Sequence, residues 1–290
     1  MKAIWRVITP SGEERLCLGE PSVGPEEVLE ATTKIDDLYT MRAGDVRSLI
    51  ESHRTKVVAE NCRILAPVNS QEIWAAGVTY QKSLDARSIE SARASVYEAV
   101  YSADRPELFL KQAPGRVRDP GAPIGVRADS AWDVPEPELA VAFNRHGEAF
   151  AYTIGNDVSS RSIEGENPLY LPQAKIFRGS CSLGPCLVPY DSAPRLDDMT
   201  IKMSICRGVE EVFQGEVSLA KLMRAPEDLA DYLFLHDDFP VGLVLLTGTG
   251  LVPEDFTLED GDLVEIGISH LGTLVNPVVR SEARKARYAV

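Results

Sequence analysis

The sequence predicts a strand-rich α+β fold, with a small N-terminal domain over residues 1–67 and a larger domain over residues 68–290. Hydrophobic residues make up 44% and charged residues 26% of the 290 residues, which is an ordinary globular composition. Short apolar or alternating segments recur along the chain, and few helical patterns separate them. Because a doubly wound parallel sheet needs a helix between successive strands, this order favours mostly antiparallel pairing.

The N-terminal domain is predicted from a hairpin and a helix. Residues 4–19 contain two strand-like segments around a Pro-Ser-Gly turn, which is typical of a β-hairpin. Residues 43–53 have a helical pattern, and Asp45 lies near the start, where an acidic side chain favours the helix. The polar segment 67–70 is the predicted junction with the second domain.

The second domain is predicted to contain eight strands and two helices. The strands are short apolar segments, most of them bounded by turn residues, at 73–77, 108–111, 139–143, 149–154, 199–205, 241–246, 263–268 and 273–279. The helices cover residues 80–103, which contain no Pro or Gly, and residues 226–234. The last two strands are expected to form a hairpin.

Charge and cysteine content exclude several classes of protein. The 44 acidic and 30 basic side chains give a net charge of −14, so nucleic-acid binding is not expected. No apolar run reaches about 18 residues, and the first residues lack the apolar region of a signal peptide, so no membrane partner is expected. The five scattered cysteines disfavour a disulfide framework and indicate a cytoplasmic protein.

The most informative segment, residues 134–157, is predicted to form a hairpin with His146 and Gly147 in its turn. Glycine at the second turn position suits the positive φ required there. Paired positions then sum to 293, and three large apolar pairs share one face. These pairs are Leu139 with Ile154, Val141 with Tyr152, and Phe143 with Phe150.

The same register brings three carboxylates together on the opposite face. Glu136 lies opposite Asp157, and Glu138 lies opposite Gly155, which is expected to leave room beside them. Three like charges repel unless a cation neutralises them or some are protonated. Oxygen ligands alone suit a hard cation, Mg²⁺ or Ca²⁺. Spacing by itself leaves open the alternative of a solvated acidic strand edge that prolines keep from pairing.

The polar segment 159–178 directly follows Asp157 and would bring Arg161, Gln173 and Lys175 over a metal ion. Lysine and arginine in that position would bind a substrate carboxylate. The alternative is a surface loop with ordinary solvated charges.

A second candidate anion contact is the turn over residues 247–250. Its backbone N–H groups and the Thr249 hydroxyl would bind a carboxylate, and the alternative is a simple glycine turn between strands.

Motifs between residues 73 and 279 resemble those of the fumarylacetoacetate hydrolase superfamily. They are PEPELA at 135–140, YTIGNDVSSR at 152–161, SLGP at 182–185, LTGTG at 246–250 and LEDGD at 258–262. The resemblance implies a mixed β-sandwich or roll that binds Mg²⁺ through a Glu-x-Glu pair and a later Asp. Those positions match Glu136, Glu138 and Asp157, and Ca²⁺ or Mn²⁺ would be substitutes.

One motif departs from the hydrolases of that superfamily. They commonly carry Gly-x-Asn-Tyr-x-x-His, where the histidine helps to activate water, but residues 77–83 here read GVTYQKS. Ser83 stands at the position of the histidine and Thr79 at that of the asparagine. This departure disfavours hydrolysis of a carbon–carbon bond.

Residues 164–175 and 105–107 resemble a subgroup, the 2-keto-3-deoxy-D-arabinonate dehydratases. This implies that Glu107 and Lys175 lie at the active site, with their acid and base roles open. It also implies a cytoplasmic, homo-oligomeric, Mg²⁺-dependent hydro-lyase. The substrate would be a 2-oxo acid that forms an enolate and yields 2-oxoglutarate semialdehyde. The alternatives are a hydrolase of an acylpyruvate or related diketo acid, and a catalytically silent metal-binding or ligand-sensing protein on the same scaffold.

Overall fold

The computed structural model describes residues 1–29, 33–51, 61–80 and 99–282. In chain order the strands are β1 (Ala3–Ile8), β2 (Glu14–Gly19), β3 (Glu27–Val28), β4 (Arg63–Leu65), β5 (Glu72–Gly77), β6 (Glu107–Gln112), β7 (Ile124–Arg127), β8 (Asp133–Val134), β9 (Pro137–Phe143), β10 (Ala149–Asp157), β11 (Ser159–Ser160), β12 (Cys181–Pro189), β13 (Thr200–Arg207), β14 (Glu210–Ser218), β15 (Leu243–Leu246), β16 (Asp262–Ile268) and β17 (Gly272–Ser281). The α-helices with both ends in the described residues are α1 (Ile35–Thr40), α2 (Ala43–Glu51), α3 (Arg161–Glu166), α4 (Leu171–Lys175) and α5 (Pro226–Phe234).

Two large sheets form the framework. The first has ten strands in the order β3-β2-β1-β12-β10-β9-β15-β5-β6, with β4 paired to β1. The second has five strands in the order β14-β13-β16-β17-β7. Pairing is antiparallel except between β5 and β15 and between β7 and β17. The predicted α+β fold with mixed sheets is therefore confirmed.

The first sheet runs across the predicted domain boundary at residue 67. Strand β1 pairs with β12, where Ile4 lies opposite Leu187. Ile4 also belongs to the same buried cluster as Ala140 and Val244 from the second half of the chain. Sheet and core are therefore continuous across residue 67. The division of the chain into two domains at that residue stays a prediction.

Two apolar cores cover the two faces of the ten-stranded sheet. The first core lies between the two sheets and includes Trp5, Tyr152, Ile201 and Ile266. The second lies on the opposite face, beneath α1 and α2, and includes Tyr39. Burial of apolar surface on both faces therefore fixes the central strands β9 and β10, which carry the candidate ligands.

Most predicted elements are found near their predicted bounds. The N-terminal hairpin, all eight strands of the second domain and the helix over 226–234 are confirmed. The helix predicted over 43–53 is confirmed up to Glu51, and residues 52–53 lie outside the described residues. Of the helix predicted over 80–103, residues 99–102 are helical and residues 81–98 lie outside the described residues.

Seven of the described strands, β3, β4, β7, β8, β11, β12 and β14, and three of the described α-helices, α1, α3 and α4, were not predicted. Strand β12 contains Gly184 and Pro185, which weaken a strand pattern, and strand β14 has a single buried residue and lacks apolar alternation. The segment expected to be a loop over 159–178 instead contains α3 and α4. The Ser160 hydroxyl accepts a hydrogen bond from Ile163 N–H at 3.3 Å and so caps α3.

The predicted carboxylate hairpin forms with the predicted register over most of its length. Tyr152 pairs with Val141 and Ile154 pairs with Leu139. The Asp157 N–H donates to the carbonyl of Glu136 at 2.9 Å, so these two residues lie opposite each other as predicted.

The hairpin turn is longer than the predicted His146–Gly147 pair. Asn144 N–H donates to Glu148 O at 3.0 Å, and Gly147 N–H donates to Asn144 O at 3.0 Å. Gly147 has a φ of +77°. This is a three-residue turn that ends in a left-handed glycine, and glycine adopts this conformation at little cost.

The predicted pairing of Phe143 with Phe150 is wrong. Phe143 pairs with Ala149, and a bulge follows between Ala149 and Ala151. The extra residue turns Phe150 to the opposite face. There it joins the second core and packs edge-on against Tyr39, with ring centroids 5.0 Å apart.

We expect Phe150→Ala to lower the free energy of unfolding by about 3–5 kcal/mol, because it leaves a cavity in the second core. Urea denaturation at constant pH measures this change. Val209→Ala, at a fully exposed turn position, is the control and should change stability by less than about 0.5 kcal/mol. A loss for Phe150→Ala as small as that of the control would contradict burial of the ring.

Candidate functional site

Three acidic side chains meet at one end of the central strands. Glu136 directly precedes β9, Glu138 lies within it, and Asp157 is the last residue of β10. Their exposures are 2%, 1% and 1%, and one carboxylate oxygen from each lies within 4.8 Å of the others. This burial excludes the alternative of a solvated acidic edge. The three residues form the candidate metal site.

The space expected at Gly155 is filled, and a different glycine, Gly77, leaves room for an acidic side chain near the site. A Cβ at Gly155 would lie 2.2 Å from Leu246 Cδ2, so Leu246, and not a ligand, fills the space beside it. A Cβ at Gly77 would lie 1.9 Å from Glu107 Oε2. Gly77 therefore lets the Glu107 carboxylate lie directly against its backbone; Gly77 belongs to the wall of the cavity, and Glu107 does not.

Two cationic side chains bind Glu136. Arg161 Nη2 donates to Glu136 Oε1 at 2.7 Å, and Lys175 Nζ donates to Glu136 Oε2 at 2.8 Å. Lys175 also donates to Ser159 Oγ at 2.6 Å, and its ammonium lies 5.8 Å from the centre of the Phe109 ring. Lys175 is therefore held by contacts from three separate segments.

Asp157 is bound by a lysine that the sequence patterns did not single out. Lys111 Nζ forms an ion pair with Asp157 Oδ1, and Lys175 Nζ lies 3.4 Å from Asp157 Oδ2. Within the described ranges, Oδ2 accepts no hydrogen bond. The available signal was a lysine inside the apolar strand β6, on the same face as Glu107 and Phe109.

Glu138 is held by the turn after β15. The Gly248 N–H donates to Glu138 Oε2 at 2.6 Å. Burial raises the pKa of Glu138 well above its usual value, and the charges of Asp157 and Glu136 raise it further, against the lowering effects of Lys175 and of this N–H. A cation that binds here while this carboxyl is protonated would therefore displace a proton.

The donor set fits a hard divalent cation. All three groups offer carboxylate oxygens, which Mg²⁺ and Ca²⁺ prefer, and Asp157 Oδ2 has no hydrogen-bond donor among the described residues. Lys111, Lys175 and Arg161 offset part of the repulsion that the sequence alone suggested. A metal ion would thus offset the part of the repulsion that these three cations leave.

The site encloses a small cavity. Its wall includes Arg161, Lys175, Phe109 and Thr249 as well as the three acidic residues. The cavity volume is about 10 Å³, which is enough for roughly one water-sized group.

Two residues predicted to bind substrate are placed differently from expectation. Gln173 is exposed and lies outside the cavity wall, because α4 turns Ala174 and Lys175 inward and Gln173 outward. Thr249 reaches the wall, but its hydroxyl lies within hydrogen-bond distance of two carbonyl oxygens, Pro137 O at 2.9 Å and Leu251 O at 3.1 Å, and donates its one hydrogen to this pair. The expected role of Gln173 in this cavity is therefore not supported by its position, and Thr249 stabilises the turn.

The Gly248 N–H also has a different partner from the one expected. It binds the candidate ligand Glu138 rather than facing an open anion site. Ser83, which replaces the histidine of the hydrolase motif, lies outside the described residues.

Known proteins resemble both the sequence and the fold. Residues 72–279 match the family described as fumarylacetoacetate (FAA) hydrolase C-terminal. The probable 2-keto-3-deoxyxylonate dehydratase of Haloferax volcanii is 43% identical over 94% of this chain and 98% of that protein. The 2-dehydro-3-deoxy-D-arabinonate dehydratase of Saccharolobus solfataricus is 41% identical over 81% of this chain and 79% of that protein.

A solved structure shares the fold over nearly the full chain. It is 2-keto-3-deoxy-D-arabinonate dehydratase complexed with magnesium and 2,5-dioxopentanoate, with a TM-score of 0.84 and 33% identity. The match covers 98% of this chain and 100% of that one.

We expect Glu138→Gln to raise the dissociation constant for Mg²⁺ by about tenfold or more, because it removes one ligand charge and keeps the side-chain shape. Isothermal titration calorimetry without substrate measures the constant. Glu265→Gln, on an exposed position of β16, is the matched control and should bind as the unchanged protein does. Equal affinity in both variants would exclude Glu138 as a ligand.

Mg²⁺ binding should strengthen as the pH rises. The raised pKa of Glu138 means that the carboxyl holds a proton at lower pH and is ionised, and able to bind metal, only at higher pH. For one proton displaced, the affinity changes by up to about tenfold per pH unit below that pKa. Calorimetry in buffers of different ionisation enthalpy reports the released proton. A binding enthalpy independent of the buffer would contradict this coupling.

Proposed function

The chain belongs to the fumarylacetoacetate hydrolase family, and from this premise we propose that it is a Mg²⁺-dependent dehydratase of 2-keto-3-deoxy sugar acids. A suitable substrate is 2-keto-3-deoxy-D-arabinonate, which yields 2-oxoglutarate semialdehyde. The observation that carries the proposal is the contact between Lys175 Nζ and Glu136 Oε2 at 2.8 Å. It supports the proposal because the proposed acid, Lys175, would then lie next to the buried residues that we propose as metal ligands.

Glu136, Glu138 and Asp157 are the proposed metal ligands. Mg²⁺ bound there would supply a Lewis acid for the carboxylate and 2-oxo oxygens of the substrate. Other hard cations, such as Mn²⁺ or Ca²⁺, have the same preference for oxygen and are the proposed substitutes.

Arg161 is the proposed contact for the substrate carboxylate. It is 3% exposed, it lines the cavity, and its guanidinium is held beside the metal ligands by the contact with Glu136. A guanidinium binds a carboxylate with directed, charge-assisted hydrogen bonds. Arg161 would thus orient the substrate so that C3 and C4 face the proton-transfer groups.

Dehydration requires a base at C3 and an acid at the C4 hydroxyl. We assign the base role to Glu107, which is not itself part of the cavity wall but whose carboxylate lies directly behind Gly77, a residue of that wall. Lys175 is the proposed acid, because Glu136 at 2.8 Å and Asp157 at 3.4 Å favour its ammonium form.

The proposed reaction is balanced. Glu107 takes a proton from C3, a double bond forms between C3 and C4, and the C4–O bond breaks. The departing hydroxyl takes a proton from Lys175 and leaves as water. For a five-carbon substrate, a proton then leaves C5 and another is added at C3, which gives an enol at C4 and C5; loss of its hydroxyl proton and protonation of C4 give the aldehyde. No hydrolytic water is needed.

The test is incubation with 2-keto-3-deoxy-D-arabinonate and, separately, with an acylpyruvate, with Mg²⁺ or with a chelator. We expect an aldehyde product from the sugar acid that depends on Mg²⁺, and no pyruvate from the acylpyruvate. Pyruvate release without the aldehyde would refute the dehydratase and support the hydrolase. Absence of both products together with tight Mg²⁺ binding would support a silent metal-binding protein.

Glu107→Gln should lower kcat by about 10²–10⁴-fold, because it removes the base while keeping the side-chain shape. Mg²⁺ affinity should stay within about threefold, since Glu107 is not a proposed ligand. Turnover of 2-keto-3-deoxy-D-arabinonate and calorimetry measure the two effects. The exposed Glu265→Gln is again the control, and equal kcat in the two variants would remove Glu107 from the mechanism.

The cytoplasmic location and a homo-oligomeric state are further proposals. The five cysteines are free, which agrees with a reducing compartment. Leu169 and Tyr170, between α3 and α4, are 80% and 40% exposed and would suit a subunit contact. No helix in the described part of the chain is long and apolar enough to cross a membrane. Light scattering would give the subunit number.

A further inference from the structure

Lys111 is a fully buried lysine behind the candidate site. It lies in β6 with 0% exposure, and it is not part of the cavity wall. Its ammonium therefore faces neither solvent nor the space where a small ligand would sit. A buried lysine must have partners for its charge and for all its N–H groups, because burial removes the water that would otherwise bind them.

All three N–H groups of Lys111 have acceptors. Its Nζ is paired with Asp157 Oδ1, donates to Val158 O at 3.0 Å, and donates to Lys175 O. The Phe177 ring lies 5.9 Å from Nζ and covers it. A single ammonium thus joins the end of strand β10 to the last residue of helix α4.

These contacts connect two groups with different proposed tasks. Asp157 is a proposed metal ligand, and Lys175 is the proposed acid. Lys111 holds the side chain of the first and the backbone of the second. Since β10 and α4 are separate elements, their relative position depends on contacts of this kind.

The other two proposed ligands are held in other ways. Glu136 pairs with Arg161 and Lys175, both of which line the cavity and would face the substrate. Glu138 accepts the Gly248 N–H. Among the cations that the structure describes beside the proposed ligands, Lys111 is therefore the one that a substrate would not contact.

We propose that Lys111 is a positioning residue that fixes Asp157 for Mg²⁺ binding and sets the place of the Lys175 backbone for proton transfer. This inference rests on the proposed function, since it uses the roles assigned to Asp157 and Lys175. Groups behind a metal site commonly act in this way, and their removal costs about 10–100-fold in metal affinity or activity.

The experiment compares Lys111→Met and Lys111→Arg with the unchanged 290-residue chain. Methionine fills similar volume without charge or donors. Arginine keeps the charge, but its planar guanidinium cannot reach the same three acceptors with the same geometry. Lys202→Met replaces an exposed lysine of β13. It is the matched control and should behave as the unchanged protein does.

For Lys111→Met, the Mg²⁺ dissociation constant measured by calorimetry without substrate should rise by about 10–100-fold, and kcat at saturating Mg²⁺ should fall by a similar factor. For Lys111→Arg, Mg²⁺ affinity should stay within about threefold while kcat falls by more than about tenfold. KM for 2-keto-3-deoxy-D-arabinonate should change by less than about threefold in both, because Lys111 does not line the cavity. A merely structural role would lower the melting temperature without this separation of constants.

A folded Lys111→Met with both Mg²⁺ affinity and kcat within twofold of the unchanged protein would overturn the proposal. If Lys111→Met does not fold, Lys111→Arg becomes the test of the proposal. An unchanged kcat in Lys111→Arg would equally overturn the proposal. The Mg²⁺ titration needs no substrate. A lack of dehydration by the unchanged protein would therefore refute the proposed function, while the effect of Lys111 on Asp157 would still be measured.

Discussion

The burial of three carboxylates at one point is the constraint on which the rest of the site depends. A buried, uncompensated charge costs several kcal/mol even after the protein relaxes, and Glu136, Glu138 and Asp157 are each at most 2% exposed. Strand β6, helices α3 and α4, and the turn after β15 must therefore converge to supply opposite charges and N–H groups. The compensating groups are Lys111, Arg161, Lys175 and the Gly248 N–H.

The ten-stranded sheet makes this convergence possible because its central strands are packed on both faces. Strands β9 and β10 hold Glu138 and Asp157 on rigid backbone, with Glu136 directly before β9, while the cations come from an outer strand and from two short helices. Ligands on packed strands hold their geometry better than ligands on loops. The cations of α3 and α4 line the cavity and so connect the metal site to a substrate.

The local part of this arrangement could be predicted from the sequence. Alternation with period two, together with a turn glycine, is enough to place Glu136 opposite Asp157. The error was confined to the turn, where Phe150 forms a bulge and points to the second core. Turn length is set by a few hydrogen bonds. For most of both strands, the apolar pattern correctly predicted paired positions that sum to 293.

The sequence by itself determined ten of the seventeen described strands, the hairpin that gathers the acidic residues, and the family motifs. Only the tertiary structure decided that Lys111 binds Asp157, that Leu246 fills the space at Gly155, and that Gln173 points away from the cavity. These features depend on contacts between segments far apart in the chain or on the orientation of a five-residue helix. Periodicity reports which face of one element is buried. It carries no information on which distant element packs against that face, because packing depends on the whole fold.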